Sequence, residues 1–259
     1  MTCPNPSPNP NAYENLIIER KGPKAVLTFT REERLNALNA QTFRELIAAA
    51  EELEGDDVVQ VVIVTGRGRG FVAGADITDY VDRTLLEYLD FQRLGRRMYD
   101  RWERLRQPVI AAVNGYALGG GFELVLVADL VVAAEEAKMG LPEAKLGLLP
   151  GGGGTQRLTR LVGRNKTKEL LMTGDFITVT EARELGIVNR VVPAEKLMLA
   201  AHALADRILE RAPPGGEDGQ AARQRRSRRQ LAQRHLPGDG DDRYALRYRR
   251  RARRDHRVH

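Results

Sequence analysis

Two glutamates and two runs of small residues carry most of the chemistry this sequence offers. Between Asn11 and Ala201 there is no Ser, Cys or His; the histidines are His202, His235, His256 and His259, and the serines are Ser7 and Ser227. That removes Ser–His and Cys–His nucleophilic catalysis from this stretch, together with the usual His/Cys zinc sites, so no metal is expected. Carboxylates and backbone N–H groups remain as the machinery. Glu123 follows Gly119-Gly120-Gly121-Phe122, where a strand runs through glycines into a helix. The first amides of such a helix point outward unpaired at the positive end of its dipole, a ready site for a developing oxyanion. A plain first-turn glutamate favoured by that dipole explains the motif equally well. Glu143, in Gly140-Leu141-Pro142-Glu143, reads on its own as an exposed loop residue. It lies twenty positions beyond Glu123, so the two cannot share a helix face and only the fold can pair them. In the other run, Phe71 to Ile77, small residues let a ligand or a strand approach the main chain closely.

Alternating strands and helices must position these groups. The β-branched and alternating runs predict strands over 15–20, 24–30, 58–65, 109–113, 130–134 and 187–192. Helical spacing predicts helices over 40–53 behind an Asn39 cap, 84–105, from the glycines to about 128, 165–172, a short one capped by Thr180, and 194–211. This order argues for stacked α/β units with right-handed crossovers. Nucleotide motifs fail: Gly66 to Gly70 lacks the G-x-G-x-x-G spacing, and Gly151 to Gly154 lacks the Gly-Lys-Ser/Thr ending.

The net charge of +6 is unevenly spread. Residues 211–259 hold 15 arginines against 6 acidic residues, a net of +9, while residues 1–210 carry −3. Any argument for nucleic-acid binding therefore concerns the tail. Residues 1–11 read as a disordered leader without a secretory pattern. The lone cysteine, Cys3, allows no disulfide framework, which points to a reducing, cytoplasmic setting.

The motifs Leu35-Asn36-Ala37-Leu38, Phe71 to Ile77, Pro108 to Glu123, Pro142-Glu143 with Gly147, Pro150 to Leu158 and Val188 to Pro193 stand in an order and spacing that resembles the crotonase (enoyl-CoA hydratase/isomerase) family. The resemblance covers residues 12 to 212. It implies an α/β crotonase-type spiral of ββα units with a helical C-terminal region. It also implies an oxyanion hole formed by the N–H groups of Ala75 and Gly120. The path for the coenzyme A thioester would be lined by Ala73, Ala75, Asp76, Ile77, Thr78 and Gly120, with Arg34 either lending charge or staying solvated. Many members carry Lys where this chain has Thr78. Having both Glu123 and Glu143 resembles the hydratases, which add water to a trans-2-enoyl-CoA to give a 3-hydroxyacyl-CoA, as in β-oxidation. Isomerases and hydrolases of the family commonly replace one or both. No cofactor is implied beyond the coenzyme A of the substrate, and self-association as a trimer or hexamer follows from the resemblance.

Beyond Pro213 the resemblance stops. Residues 212–259 hold only four aliphatic side chains larger than Ala, namely Leu231, Leu236, Leu246 and Val258, so no packed helical pair is expected. An arginine-only cationic tail of this kind suits GC-rich DNA read out of frame. A thioester binder made inactive by the loss of its C-terminal cover is one alternative. An RNA-binding tail using Arg223, Arg225, Arg226, Arg228, Arg229 and Arg249 to Arg254 is another. An out-of-frame tail would leave the helix near 194–208 presenting Leu197, Leu199, Ala203 and Leu204 to water.

Overall fold

The computed structural model describes residues 13–79 and 83–211. The leader with Cys3 and the arginine-rich tail lie outside these residues. The chain runs β1 (Leu16–Lys21), β2 (Lys24–Phe29), α1 (Ala40–Gly55), β3 (Val61–Gly66), β4 (Gly70–Val72), α2 (Leu85–Glu103), β5 (Val109–Val113), β6 (Tyr116–Leu118) and α3 (Gly120–Val127). It continues with β7 (Leu130–Ala134), β8 (Lys138–Gly140), α4 (Gly154–Val162), α5 (Arg164–Thr173), β9 (Phe176–Thr178), α6 (Val179–Glu184), β10 (Arg190–Val192) and α7 (Leu197–Leu209). The strands form a six-stranded sheet, β1-β2-β3-β5-β7-β10, and a smaller one, β4-β6-β8-β9. Among the described residues only β1–β2 and β8–β9 pair antiparallel. From β3 onward the chain repeatedly gives one strand to the large sheet, the next to the small sheet, and then a helix. This is the ββα spiral that the resemblance implied.

The large sheet is covered on both faces. Along β3, Val62 and Val64 enter the main core, while Val61 and Ile63 enter a second one; β5 alternates likewise, with Ile110 and Ala112 on the second side. That alternation follows from the two-residue period of a strand. The second core is closed by α7 through Leu197, Ala201 and Ala205, which fall on one helical stripe. Leu197 is therefore buried, contrary to the expectation that it faces water, whereas Leu199 is exposed. The first turn of the 194–211 segment is a 3₁₀ turn, Ala194–Lys196.

Local hydrogen bonds explain where the element boundaries differ from expectation. The strand expected from residue 58 begins at Val61, because the Val58 and Val59 N–H groups donate to the Asp56 carboxylate and that of Gln60 to the Pro23 carbonyl. The strand expected from residue 187 begins at Arg190. Both Ile187 and Val188 donate instead to the Ala182 carbonyl, closing the end of α6. The cap of α6 is Thr178, not Thr180: its hydroxyl accepts from the Glu181 N–H while the Glu181 side chain reaches back, a capping box. Asn39 caps α1 as expected, accepting from the Thr42 N–H at 2.7 Å. The four strands of the small sheet and helix α4 have no counterpart in the elements expected from the sequence.

Candidate active site

The start of α3 is the platform of the site. Gly119 sits at φ +51°, and its N–H donates to the Gly140 carbonyl at 2.9 Å, tying the turn to β8. Gly120 opens the helix, where a backbone N–H has no partner within the helix itself. Gly121 has no room for a side chain, since a Cβ there would lie 1.9 Å from the Val72 carbonyl oxygen. The end of β4 thus lies directly against the first turn of α3. Leu38 holds the loop that follows β4, donating to the Gly74 carbonyl and accepting from the Asp76 N–H, both at 2.8 Å. The loop brings the Ala75 nitrogen within 3.8 Å of where a Gly120 Cβ would stand. Behind it, Leu35 and Asn36 both have left-handed backbones, at φ 49° and 59°. Such conformations cost about 1–3 kcal/mol each and persist when the surroundings fix them. Here the Leu35 carbonyl accepts from the Ala73 N–H at 3.0 Å, and the Asn36 amide donates to the carbonyls of Gly70 (2.7 Å) and Arg67 (3.0 Å).

Glu123 is buried in the first turn of α3, 3 % exposed. Its Oε2 accepts from the Gly152 N–H at 2.9 Å and its Oε1 from the Gly154 N–H at 2.7 Å. Burial pushes its carboxyl up to about 7, against the pull of those two N–H groups and the Arg157 guanidinium. Arg157, on α4, is itself buried. It donates to the Gly152 carbonyl at 2.5 Å and to both carboxylate oxygens of Glu103 at 3.3 and 2.9 Å. Gly152 is hemmed in: a Cβ would stand 2.2 Å from Tyr99 Cε2 and 2.5 Å from Glu123 Oε2.

Glu143 stands in a 3₁₀ turn, Pro142–Leu146, rather than an open loop, and is half-buried. Its Oε2 is buried with no hydrogen-bond partner. Burial again pushes the carboxyl up to about 7; its own backbone N–H opposes that rise and the nearby Glu123 charge adds to it. Both carboxyls border one cavity of about 770 Å³, counting its open mouth. Ala73, Ala75, Ile77 and Gly120 also border it, as does the inward face of α2. From that face the Tyr99 hydroxyl donates to the Gly120 carbonyl at 2.8 Å, and burial, reinforced by Glu123, keeps the phenol well above its usual range.

The other residues singled out in the sequence lie elsewhere. Asp76 and Thr78 stand beside the cavity but do not border it. The Asp76 carboxylate accepts from the Thr78 hydroxyl (2.7 Å) and from Arg31 (3.0 Å). Burial alone would raise this carboxyl, but these bonds outweigh it and hold it below the usual carboxylate range. Arg34 is exposed and outside the wall. Sequence reasoning missed Tyr99, Arg157, Gly152 and Gly154. Gly152, Gly154 and Arg157 sit in the run Pro150 to Leu158, which the resemblance includes without a role for any of them, while Tyr99 lies on a helix whose facing only packing decides. Among the described residues no group of three or more His, Cys, Asp or Glu could hold a metal, and no helix is long and apolar enough to cross a membrane.

The geometry has counterparts. A profile of the enoyl-CoA hydratase/isomerase family matches residues 19–235. The chain is 45% identical over 200 residues to a short-chain-enoyl-CoA hydratase of Clostridium acetobutylicum, covering 77% of each protein. It is 45% identical over 201 residues to a crotonyl-CoA hydratase of Syntrophomonas wolfei, again 77% of each. The crystal structure of an enoyl-CoA hydratase from Bacillus anthracis superposes with a TM-score of 0.79 at 33% identity, over 93% of this chain and 90% of that one.

Proposed function

The chain belongs to the enoyl-CoA hydratase/isomerase family, by homology an enoyl-CoA hydratase (a hydro-lyase), and from that premise we propose that Glu123 and Glu143 are its acid–base pair. The substrate of this reading is a short or medium trans-2-enoyl-CoA, the product a 3-hydroxyacyl-CoA. The observation that supports it is that two carboxyls, both raised to about 7, border one cavity together with Ala75 and Gly120. A group that titrates near neutrality exchanges protons readily in either direction. Glu123, fixed by two N–H donors, takes a proton from water as the oxygen bonds to the β-carbon. Electrons move onto the thioester oxygen, which the Ala75 and Gly120 N–H groups stabilise as an oxyanion. The enolate then collapses, and its α-carbon takes the proton of Glu143. One proton passed from Glu123 back to Glu143 restores the starting state.

The coenzyme A path along Ala73, Ala75, Asp76, Ile77 and Thr78, with Arg34 at its edge, belongs to the same proposal, as do a cytoplasmic setting and self-association as a trimer or hexamer. Light scattering checks the assembly. Steady-state hydration of crotonyl-CoA checks the chemistry. Glu123→Gln and Glu143→Gln should each lower kcat by about 10²–10⁴, with thioester affinity changed little, since each swap keeps size and polarity. Near-normal turnover in either variant would return that carboxylate to a structural role.

A further inference from the structure

Besides Tyr99, the α2 side of the cavity carries three polar side chains. Tyr88, Gln92 and Arg96 stand at intervals of four on α2, so they form one stripe along its inward face, and all three border the cavity. Gln92 donates to the Tyr88 hydroxyl at 2.8 Å, and its carbonyl oxygen faces Gly151, where a Cβ would come within 2.4 Å. Arg96, one turn further along and exposed, is the only basic side chain on the cavity wall among the described residues. Several nearby arginines are engaged: Arg93 pairs with Asp90 at 3.0 Å, Arg101 with Glu54 at 2.5 Å, and Arg157 with Glu103 at 2.9 Å, whereas Arg97, like Arg96, has no carboxylate of the described residues within salt-bridge distance.

We propose that Arg96 reads the far end of the acyl group, and that the preferred substrates are 2-enoyl-CoA thioesters whose chain ends in a carboxylate. The inference rests on the hydratase reading, and three physical points support it. A guanidinium is a bidentate match for a carboxylate. A chain with an apolar end offers the Arg96 guanidinium no partner, whereas a carboxylate does. An anionic chain end would be repelled by the ionised Glu123 unless a cation stood opposite, and Arg96 is the cation on this wall. The apolar residues Leu146, Leu148 and Leu149 on the same wall suit the methylenes between the two ends.

The experiment compares two thioesters of equal length, 2,3-dehydroadipyl-CoA and trans-2-hexenoyl-CoA, in the full chain, Arg96→Met, Arg96→Lys and Arg97→Met. The readout is the ratio of their kcat/KM values. Arg97 neighbours Arg96 but does not border the cavity, so it controls for the loss of one surface charge. The wild-type ratio should favour the carboxylated thioester, fall about tenfold or more in Arg96→Met, recover partly in Arg96→Lys and hold in Arg97→Met, the span expected for a hydrogen bond to a charged group. A ratio that ignores Arg96→Met, or falls equally in Arg97→Met, overturns the proposal, as does a wild-type preference for the hexenoyl chain. Failure to hydrate either thioester would instead overturn the hydratase reading, so the two failures are distinct.

Discussion

Burial raises both Glu123 and Glu143, but the chain surrounds the two carboxyls differently. Around Glu123 the chain supplies two N–H donors, a buried arginine and the wall of Tyr99. Around Glu143 it supplies burial and one negative neighbour, and leaves one oxygen without a partner. The first carboxyl is held through both oxygens by other segments of the chain, the second only by its own backbone N–H. A group that orients a water molecule gains from being locked. A group that delivers a proton to carbon keeps a free oxygen for that purpose. The difference between the two surroundings thus matches the difference between the roles proposed for them.

The sharpest way to break the comparison is to unlock Glu123 and leave Glu143 alone. Gly152→Ala forces a methyl against Tyr99 and the Glu123 carboxylate, and misplacement by about 1 Å costs about 100-fold, so kcat should fall by that order. Unaltered turnover would mean that the Gly152 contact does not set the geometry. Next in size, Tyr99→Phe keeps the ring and removes the bond to the Gly120 carbonyl. A loss of about tenfold in kcat with little change in KM is expected, because the start of α3 matters most as charge develops. A matched rise in KM would assign Tyr99 to substrate binding.

Arg157→Met has a smaller effect at its best pH but a diagnostic profile. The guanidinium favours the ionised form of Glu123, so its loss should move the acid limb of the kcat/KM profile to higher pH, while Arg157→Lys should restore part of the shift. Smallest of all is a stability effect. Both folded carboxyls titrate near 7, above the value of about 4.3 for an unfolded glutamate, so between those values the folded state holds more protons. The stabilisation contributed by these two groups should therefore be fully present below the lower value and decline as pH rises toward the upper one. The Tm should fall over that window, and fall less in Glu123→Gln and Glu143→Gln; equal slopes in all three would exclude these groups as its source.

The sequence was most informative where backbone chemistry is written in residue type. Glycines before Glu123 pointed to a helix start with free amides, and the absence of Ser, Cys and His narrowed the candidates to carboxylates. Pairing Glu143 with Glu123 was not readable from spacing, because it depends on β8 lying beside β6. The small sheet escaped notice for a similar reason: its strands have three residues each, too few to show alternation. Tyr99 resembled an ordinary residue of an amphipathic helix and Arg157 lay in a run without a role for it, and only the packing of α2 against α3 and of α4 beside them turns both toward Glu123. For Arg34 the sequence left two readings open, and its exposed position outside the cavity wall shows why: a motif can place a charged residue near a site without fixing which way it points.

The double covering of the large sheet has a consequence for how the protein is made. Val61, Ile63, Ile110, Ala112 and Val132 are sealed only when Leu197, Ala201 and Ala205 arrive. Those three lie more than sixty residues downstream of the last of the strands they cover. A ribosome working at about 5–20 residues per second needs several seconds to span that interval. During that time the nascent chain carries a finished oily surface with no lid, the kind of patch that chaperones hold and that stalled translation leaves to aggregate.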